Sequence, residues 1–421
     1  MERSLRKETM YLYAIQISNF LVPLAAFPYL TNKLGLESFG KFGYAQTIFF
    51  LFMFLIDFGF ILAGAKSISL NKENSVQVDR IYTNIQVVKF TIFLLLFFSV
   101  LFFMYFELFG LKWGEVDTEL VFCAIISSFS AVLIPTYLFN GLSINSTLAS
   151  VTILLKLIFL IPVFLFVNGP SDLILAVSFQ IMSGLAVGVI IQGIISKKKY
   201  AKFSLKYFDR SVCIQETKSA YDNFIASFFT LGFTYLTPLI IKFTMGDSAL
   251  GLYTVVDKLI NVLRQLYAPL TQAFFAKICI AYEEKFENQY YAMLKKAMIF
   301  FLVLGGAAFF GNLLLGQWLL PLIFGESYDI YKYLIIAIMT QIVVSLSIIL
   351  VNFIIIPSGN SFILKRFYLF GLLLYIPICY LLIKMMMLEG VFYSMLFVEF
   401  FLLILFLMFS CKNMLLKLNK V

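Results

Sequence analysis

The sequence predicts an all-α integral membrane protein with twelve transmembrane helices, arranged as two six-helix bundles related by a pseudo-two-fold axis along the membrane normal. Three observations carry this prediction: an apolar composition, a series of apolar windows of membrane-spanning length, and a glycine pattern that recurs half a chain later. Hydrophobic residues make up 62% of the 421 residues and charged residues only 13%. Such a composition lies far outside the range of soluble globular domains.

The apolar windows set the order of the elements. A membrane-spanning helix needs about 20 predominantly apolar residues. Windows of this kind lie at 11–31, 40–63, 84–106, 119–140, 149–167, 173–195, 219–243, 250–275, 294–316, 331–356, 362–383 and 390–410. We therefore expect an N-terminal bundle over residues 1–195, a cytoplasmic basic linker over 196–218 and a C-terminal bundle over 219–421.

The positive charges predict the orientation. The net charge is +9, but Lys and Arg alternate between loops: 23 lie on the side of the termini and 5 on the opposite side. Since Lys and Arg are retained on the cytoplasmic side, both termini and the linker are expected to be cytoplasmic. The charge then reports topology, and no nucleic-acid partner is expected. For the run 197–199, an anchor at the anionic inner leaflet is favoured over a specific lipid site.

A glycine pattern indicates an internal duplication. Gly35 and Gly40 share their spacing with Gly246 and Gly251, and the two pairs are displaced by 211 positions. Each pair falls in the turn between the first two predicted spans of its half. Repeats of the same orientation imply two bundles with a binding site where they meet.

Metal and cofactor sites are not expected. The chain has no histidine, and its five cysteines are isolated, which argues against a zinc site or a disulfide framework. Without histidine, carboxylates are the groups that remain for proton coupling. We expect no catalytic residue and no bound cofactor, and coupling to H⁺ or Na⁺ stays open.

A polar stripe interrupts the eighth predicted span. At about 100° per residue, polar residues between 254 and 272 gather on one face, including Asp257, Lys258, Asn261, Arg264 and Gln265. Charged residues inside membranes are rare and usually line substrate or ion paths. Lining of a cavity is favoured; the alternative is a polar seam that holds helices together. Since Asp257 and Arg264 lie roughly 10 Å apart along the axis, direct pairing between them is not expected.

Further candidates lie outside this stripe. The second span, equivalent to the eighth under the duplication, carries Lys41, Tyr44, Gln46 and Asp57. Asp57 is a gate or proton-site candidate, with pairing to Lys66 or another inner-loop cation as the alternative. Lys156 and Lys258 either line the cavity or extend toward the interface. Among the carboxylates, Asp257 and Glu399 are further ion-coupling candidates.

Several local motifs together resemble the O-antigen and polysaccharide-unit flippases of the multidrug/oligosaccharidyl-lipid/polysaccharide (MOP) exporter superfamily. The motifs are Pro28-Tyr29-Leu30-Thr31, Leu34-Gly35, Phe39-Gly40, Asp57-Phe58-Gly59-Phe60 and Phe139-Asn140-Gly141-Leu142. Span count and spacing extend the resemblance over nearly the whole chain. The family often has Gln-Gly before the fifth span, where this chain has Asn140-Gly141.

The resemblance implies a MATE-like fold and a transporter in the bacterial cytoplasmic membrane. Its expected substrate is an undecaprenyl-diphosphate-linked oligosaccharide, moved to the outer leaflet by alternating access. The candidate cations for the anionic substrate are Lys41, Lys156, Lys258 and Arg264. The resemblance also implies a monomer surrounded by membrane lipids, with a polysaccharide polymerase and a chain-length regulator as candidate partners.

Three other functions are alternatives for a chain of this kind. A drug or metabolite exporter of the same fold would be expected to have an acidic cavity, whereas here the intramembrane cations outnumber Asp57 and Asp257. A membrane-embedded polysaccharide polymerase or ligase would need catalytic groups on a sizeable outer loop, and the longest predicted outer loops, near 107–119 and 317–330, are short. A channel would predict symmetry through oligomers rather than an internal pair of halves.

Overall fold

The computed structural model describes residues 2–106, 118–284, 286–325, 329–360 and 362–418; for residues 2–25, 412–418 and a few others inside helices it describes the backbone alone. Most of the predicted loop at 107–119 therefore lies outside the described residues. The described chain is almost entirely helical and contains no strand. Its helices are α1 (Glu2–Asp57), α2 (Phe60–Leu70), α3 (Ser75–Phe106), α4 (Thr118–Ser128), α5 (Ser130–Leu133), α6 (Thr136–Leu142), α7 (Asn145–Phe166), α8 (Leu173–Lys198), α9 (Arg210–Met245), α10 (Asp247–Glu283), α11 (Glu287–Phe324), α12 (Ile330–Leu350), α13 (Phe362–Met386) and α14 (Leu388–Leu418).

The helices are long and apolar enough to confirm an all-α multi-pass membrane protein. Within the described residues, nine helical stretches could cross a membrane, or ten if the bent pair Arg210–Phe229 and Gly232–Met245 is one span. The predicted number of twelve is not confirmed. One stretch, Ala26–Leu70, runs across two predicted spans, and α10 is absent from the set because its polar stripe lowers its hydropathy.

Two glycines give the first turn of each half the same backbone conformation. Gly35, inside α1, has φ 72° and ψ 169°, and Gly246, directly before α10, has φ 83° and ψ −173°. Only glycine adopts this region readily, because a Cβ would clash. The two positions are those of the glycine repeat in the sequence. The local geometry therefore supports the predicted duplication.

The described chain divides into two compact units, Met1–Leu231 and Gly232–Val421. The division falls inside α9, so the first part of that helix belongs to the N-terminal unit. The domain boundaries predicted from the sequence, at 195 and 219, stay a prediction.

The core of the N-terminal unit forms around α3 and the broken helix α4 to α6. Tyr82 and Ile85 of α3 pack with Tyr137 and Phe139 of α6, all of them buried. Pro135 lacks an N–H group and separates α5 from α6. The side chains of α3 thereby meet a helix that bends inside the unit.

α9 packs closely against the tight turn that follows α1. Phe58 and Gly59 follow α1 with φ of 47° and 80°. A Cβ on Gly59 would lie 2.6 Å from the carbonyl oxygen of Ala220 and 2.8 Å from the amide nitrogen of Phe224. Beside this approach, the rings of Phe58 and Phe224 stack with centroids 4.6 Å apart. Only glycine fits here.

The C-terminal unit has its own core between α10, α11 and α12. Tyr267 of α10 and Phe301 of α11 are buried, with ring centroids 5.0 Å apart. α12 continues as a π-helical turn over Val351–Ile355, where the Tyr290 hydroxyl donates to the Phe353 carbonyl at 3.1 Å. This packing fixes the face of α10 that lies opposite its polar stripe.

Replacing Gly59 with alanine should destabilise the protein by about 1–3 kcal/mol, because the added Cβ meets backbone atoms of α9 and φ is positive. Thermal unfolding of the detergent-solubilised protein measures the effect. Gly193→Ala is the matched control, since a Cβ there meets nothing within 4 Å; the same substitution inside α8 should stabilise by about 0.5–1 kcal/mol. Equal unfolding temperatures for the two variants would contradict the close approach.

Candidate functional site

Arg264 is the centre of the polar stripe on α10. Its Nη1 donates to Asp257 Oδ1 at 3.2 Å and to Asn261 Oδ1 at 3.2 Å. Asn261 in turn donates from Nδ2 to Asp257 Oδ2 at 3.1 Å. Three residues of one helix face therefore form a closed hydrogen-bonded group containing one ion pair.

The expectation that Asp257 and Arg264 would not pair is wrong. Two turns of helix separate their Cα atoms by about 10 Å. However, helical side chains tilt toward the N-terminus, so the long arginine reaches back along the axis. Asn261, one turn from Arg264, lies between the two charges and bonds to both.

A buried glutamine on α12 completes the contacts of Arg264. Gln341 is 2% exposed, and its Oε1 accepts from Arg264 Nε at 3.1 Å. This bond joins two helices, which is the polar seam weighed as an alternative to cavity lining. Gln341 is not among the residues predicted for this site; its signal in the sequence is a lone glutamine within the apolar span 331–356.

The stripe nevertheless remains open on one side. The Arg264 side chain is 40% exposed and the Asp257 side chain 24% exposed. Nε and Nη1 are held by protein acceptors, whereas Nη2 has no hydrogen-bond partner among the described residues. The guanidinium is thus fixed in place with one nitrogen available to a ligand.

Other predicted members of this site lie close by in the C-terminal unit. Glu399 of α14 lies within electrostatic range of Arg264, and Lys258 within range of Asp257. Gln265 is half-buried, and the side chain of Gln272 lies outside the described residues. Two carboxylates, Asp257 and Glu399, are therefore near Arg264, and Lys258 is near Asp257.

In the N-terminal unit, Asp57 is paired rather than free. Its Oδ1 lies 3.1 Å from Lys89 Nζ. Lys89 is 1% exposed and also lies over the Tyr137 ring, 5.7 Å from its centroid. Lys89 is one of the 23 Lys and Arg residues assigned above to the loops on the side of the termini; that placement is wrong, because the residue lies inside α3. The alternative for Asp57 was pairing with Lys66 or another inner-loop cation; Asp57 is indeed paired, but with a cation of α3.

The remaining candidates of the N-terminal unit lie on α1 and α7. Lys41 pairs with Glu37 at 3.9 Å, and Gln46 Nε2 donates to Gln180 Oε1 at 2.9 Å. Tyr44 and Gln46 are buried within the unit, and Lys156 is half-buried on α7. The assignment of these residues to substrate binding stays a prediction.

The site has no arrangement for a metal ion in the described part of the chain, where no group of three or more Cys, Asp or Glu side chains is placed to hold one. What it offers is a guanidinium held by protein acceptors, with carboxylate and amide groups beside it. Ionisable groups inside membrane proteins usually mark substrate or ion paths.

Comparison with solved structures shows which known fold the chain has. The chain superposes on a multidrug resistance MATE family transporter of the MOP superfamily, in its inward-facing conformation, with a TM-score of 0.74 over 96% of this chain and 94% of that one, at 13% identity. A MOP superfamily transporter from Pyrococcus furiosus gives a TM-score of 0.66 over 97% and 95%, also at 13% identity. The fold is that of the MOP transporters.

Sequence comparison then gives the family. The model of the polysaccharide biosynthesis protein family matches residues 5–275, and the chain belongs to this family. A protein of Shigella dysenteriae named as an O-antigen transporter is 26% identical over 97% of this chain and all of its own length. One of Escherichia coli K12 with the same name is 26% identical over 77% of each chain. These relatives support a transporter and not an enzyme.

Lys89→Met should destabilise the protein by about 3–5 kcal/mol, because it leaves Asp57 without its partner. The double variant Asp57→Leu/Lys89→Met should recover most of this loss, since no lone charge remains. Thermal unfolding in detergent measures both variants.

Glu37→Gln provides the control, because it removes the 70% exposed carboxylate of the Lys41 pair and should change stability by less than about 1 kcal/mol. A double variant as unstable as Lys89→Met would contradict the assignment of the loss to the unpaired Asp57 carboxylate.

Proposed function

We propose that the protein flips an undecaprenyl-diphosphate-linked oligosaccharide, the repeat unit of an O-antigen or of a capsular or exopolysaccharide, from the cytoplasmic to the periplasmic leaflet by alternating access. The family and the relatives named as O-antigen transporters support a polysaccharide-unit substrate. The single observation that carries the proposal is the fixed and partly exposed guanidinium of Arg264 within the membrane.

A diphosphate is the group that such a guanidinium suits. In a medium of low dielectric, phosphate oxygens need charge-assisted hydrogen bonds, and arginine supplies them in a planar fork. With Nε and Nη1 of Arg264 oriented by Gln341, Asn261 and Asp257, Nη2 can donate to a phosphate oxygen. Lys258, about one and two-thirds turns earlier on the same helix, adds a second cation for the diphosphate.

Export of a cationic drug by the same fold is the second candidate, favoured by the intramembrane carboxylates. The observed pairs count against it, because Asp57 is neutralised by Lys89 and Asp257 by Arg264. An anionic substrate is consistent with these pairs, whereas a cationic one would have to displace them.

The proposed activity requires a particular membrane and orientation. We place the protein in the bacterial cytoplasmic membrane with both termini and the linker 196–218 in the cytoplasm, as the alternation of Lys and Arg predicts. It acts as a monomer, beside a polysaccharide polymerase and a chain-length regulator that use the flipped unit.

Arg264→Ala should abolish surface polysaccharide while the protein remains in the membrane fraction at the normal level, and Arg264→Lys should restore it only in part, because a lysine lacks the planar fork. Immunoblots of surface polymer and of the protein measure the outcome. Lys295→Ala removes an exposed cation of α11 and should leave the polymer unchanged. Normal polymer with Arg264→Ala would remove this residue from the mechanism.

Transport is proposed to be driven by a proton or sodium gradient, with Asp257, Asp57 and Glu399 as the candidate coupling groups. In reconstituted vesicles, collapse of both gradients by ionophores should slow translocation of the lipid-linked oligosaccharide at least about ten-fold, the effect of roughly 1.4 kcal/mol. An unchanged rate without any ion gradient would exclude coupling.

A further inference from the structure

The segment 199–209 joins α8 to α9 and has an arrangement that substrate transport does not explain. α8 ends at Lys198 and α9 begins at Arg210, and both helices belong to candidate membrane spans. The segment therefore lies at a boundary between the apolar membrane core and water, whichever leaflet it faces.

The backbone of this segment is attached to α3 along its length. The N–H of Lys202 donates to Asp79 Oδ1 at 2.6 Å. Farther along, Asn84 Nδ2 donates to the Tyr207 carbonyl at 3.0 Å, and the N–H of Asp209 donates to Asn84 Oδ1 at 3.0 Å. One side of α3 thus provides hydrogen bonds to both ends of the segment.

An ion pair fastens the end nearest α9. The carboxylate of Asp209 accepts from Arg80 of α3 and from Ser211. Hydrogen bonds from Ser211, and then from Arg80, lower the pKa of Asp209 to about 2. The carboxylate is therefore ionised at neutral pH, and the segment is fixed rather than loose.

Three large apolar side chains of the segment are exposed on the protein surface. Phe203 is 52% exposed, Leu205 72% and Phe208 47%. No bond to α3 uses any of these three side chains. They are surrounded in sequence by exposed cations, namely Lys197, Lys198, Lys199, Lys202, Lys206 and Arg210.

We propose that the segment 199–209 is a preformed membrane-interface anchor that binds anionic phospholipids. Phe203, Leu205 and Phe208 enter the boundary between headgroups and acyl chains, and the surrounding cations hold the phosphate-bearing headgroups. Apolar side chains beside Lys and Arg are the combination that favours an anionic interface. Because the backbone is already fixed by α3, little conformational freedom is lost on binding.

Tryptophan probes test the anchor in the full-length protein. With Trp113 and Trp318 replaced by Phe, Phe203→Trp and Leu205→Trp each place one indole in the segment. In vesicles of brominated phosphatidylcholine with phosphatidylglycerol, bromine near the headgroup end should quench more than about half of the emission. In brominated phosphatidylcholine alone the quenching should be weaker.

Charge-matched variants test the lipid preference. Lys202→Gln/Lys206→Gln should remove the difference between the two lipid compositions. Lys295→Gln/Lys296→Gln removes the same charge from an exposed part of α11 and should leave the difference intact. The anionic preference would be overturned if quenching were equal in both lipid compositions and unchanged by the substitutions at Lys202 and Lys206. Absence of quenching in both would put the side chains in water or against another protein, and overturn the anchor.

Arg80→Ala tests whether the anchor is preformed. Loss of the Asp209 pair should free one end of the segment and lower the quenching of the Leu205→Trp probe, with the thermal unfolding temperature close to that of the parent protein. Unchanged quenching would overturn the role of α3 in holding the anchor.

Discussion

The pairing of Lys89 with Asp57 shows the constraint on which the rest of the structure depends: a charge inside a membrane protein must find its partner within the protein. A charged residue at the centre of a span costs about 2.5–3.5 kcal/mol on insertion scales. Lys89 is 1% exposed and lies between the Asp57 carboxylate and the Tyr137 ring. The same requirement pairs Arg264 with Gln341, and buried uncharged amides are also paired, as Gln46 is with Gln180. Polar contacts of this kind decide which helix faces meet.

The two units differ in how far the paired cation is buried. In the N-terminal unit the cation of the central pair is sealed, and its neighbours Tyr82 and Tyr137 are buried. In the C-terminal unit the cation is held on one side only, and 40% of its side chain stays exposed. A sealed pair stabilises the unit, whereas a partly exposed one keeps donor capacity for a solute. This difference is why Arg264, and not Lys89, is the residue around which transport is proposed.

Much of the fold could be predicted from the sequence, because composition and span length are properties of each segment alone. The glycine repeat also predicted two turns whose φ and ψ agree in the structure, since only glycine fits that conformation. The partners of charged residues could not be predicted in the same way. Lys89 lies near the edge of an apolar window, and whether it is in a loop or buried depends on Asp57, a residue of another helix. Likewise, the role of Gln341 depends on its hydrogen bond to Arg264, a residue 77 positions away in the sequence.

That separation has a consequence for biosynthesis. At about 5–20 residues per second, the ribosome needs roughly 4–15 s to add the 77 residues between Arg264 and Gln341. During this interval the guanidinium would enter the bilayer without its glutamine. Asp257 and Asn261 lie earlier on the same helix, so they are already synthesised and can neutralise and bond it as soon as α10 forms. Asp257 and Asn261 thus stabilise the Arg264 charge in the bilayer until α12 is synthesised and Gln341 can bond to it.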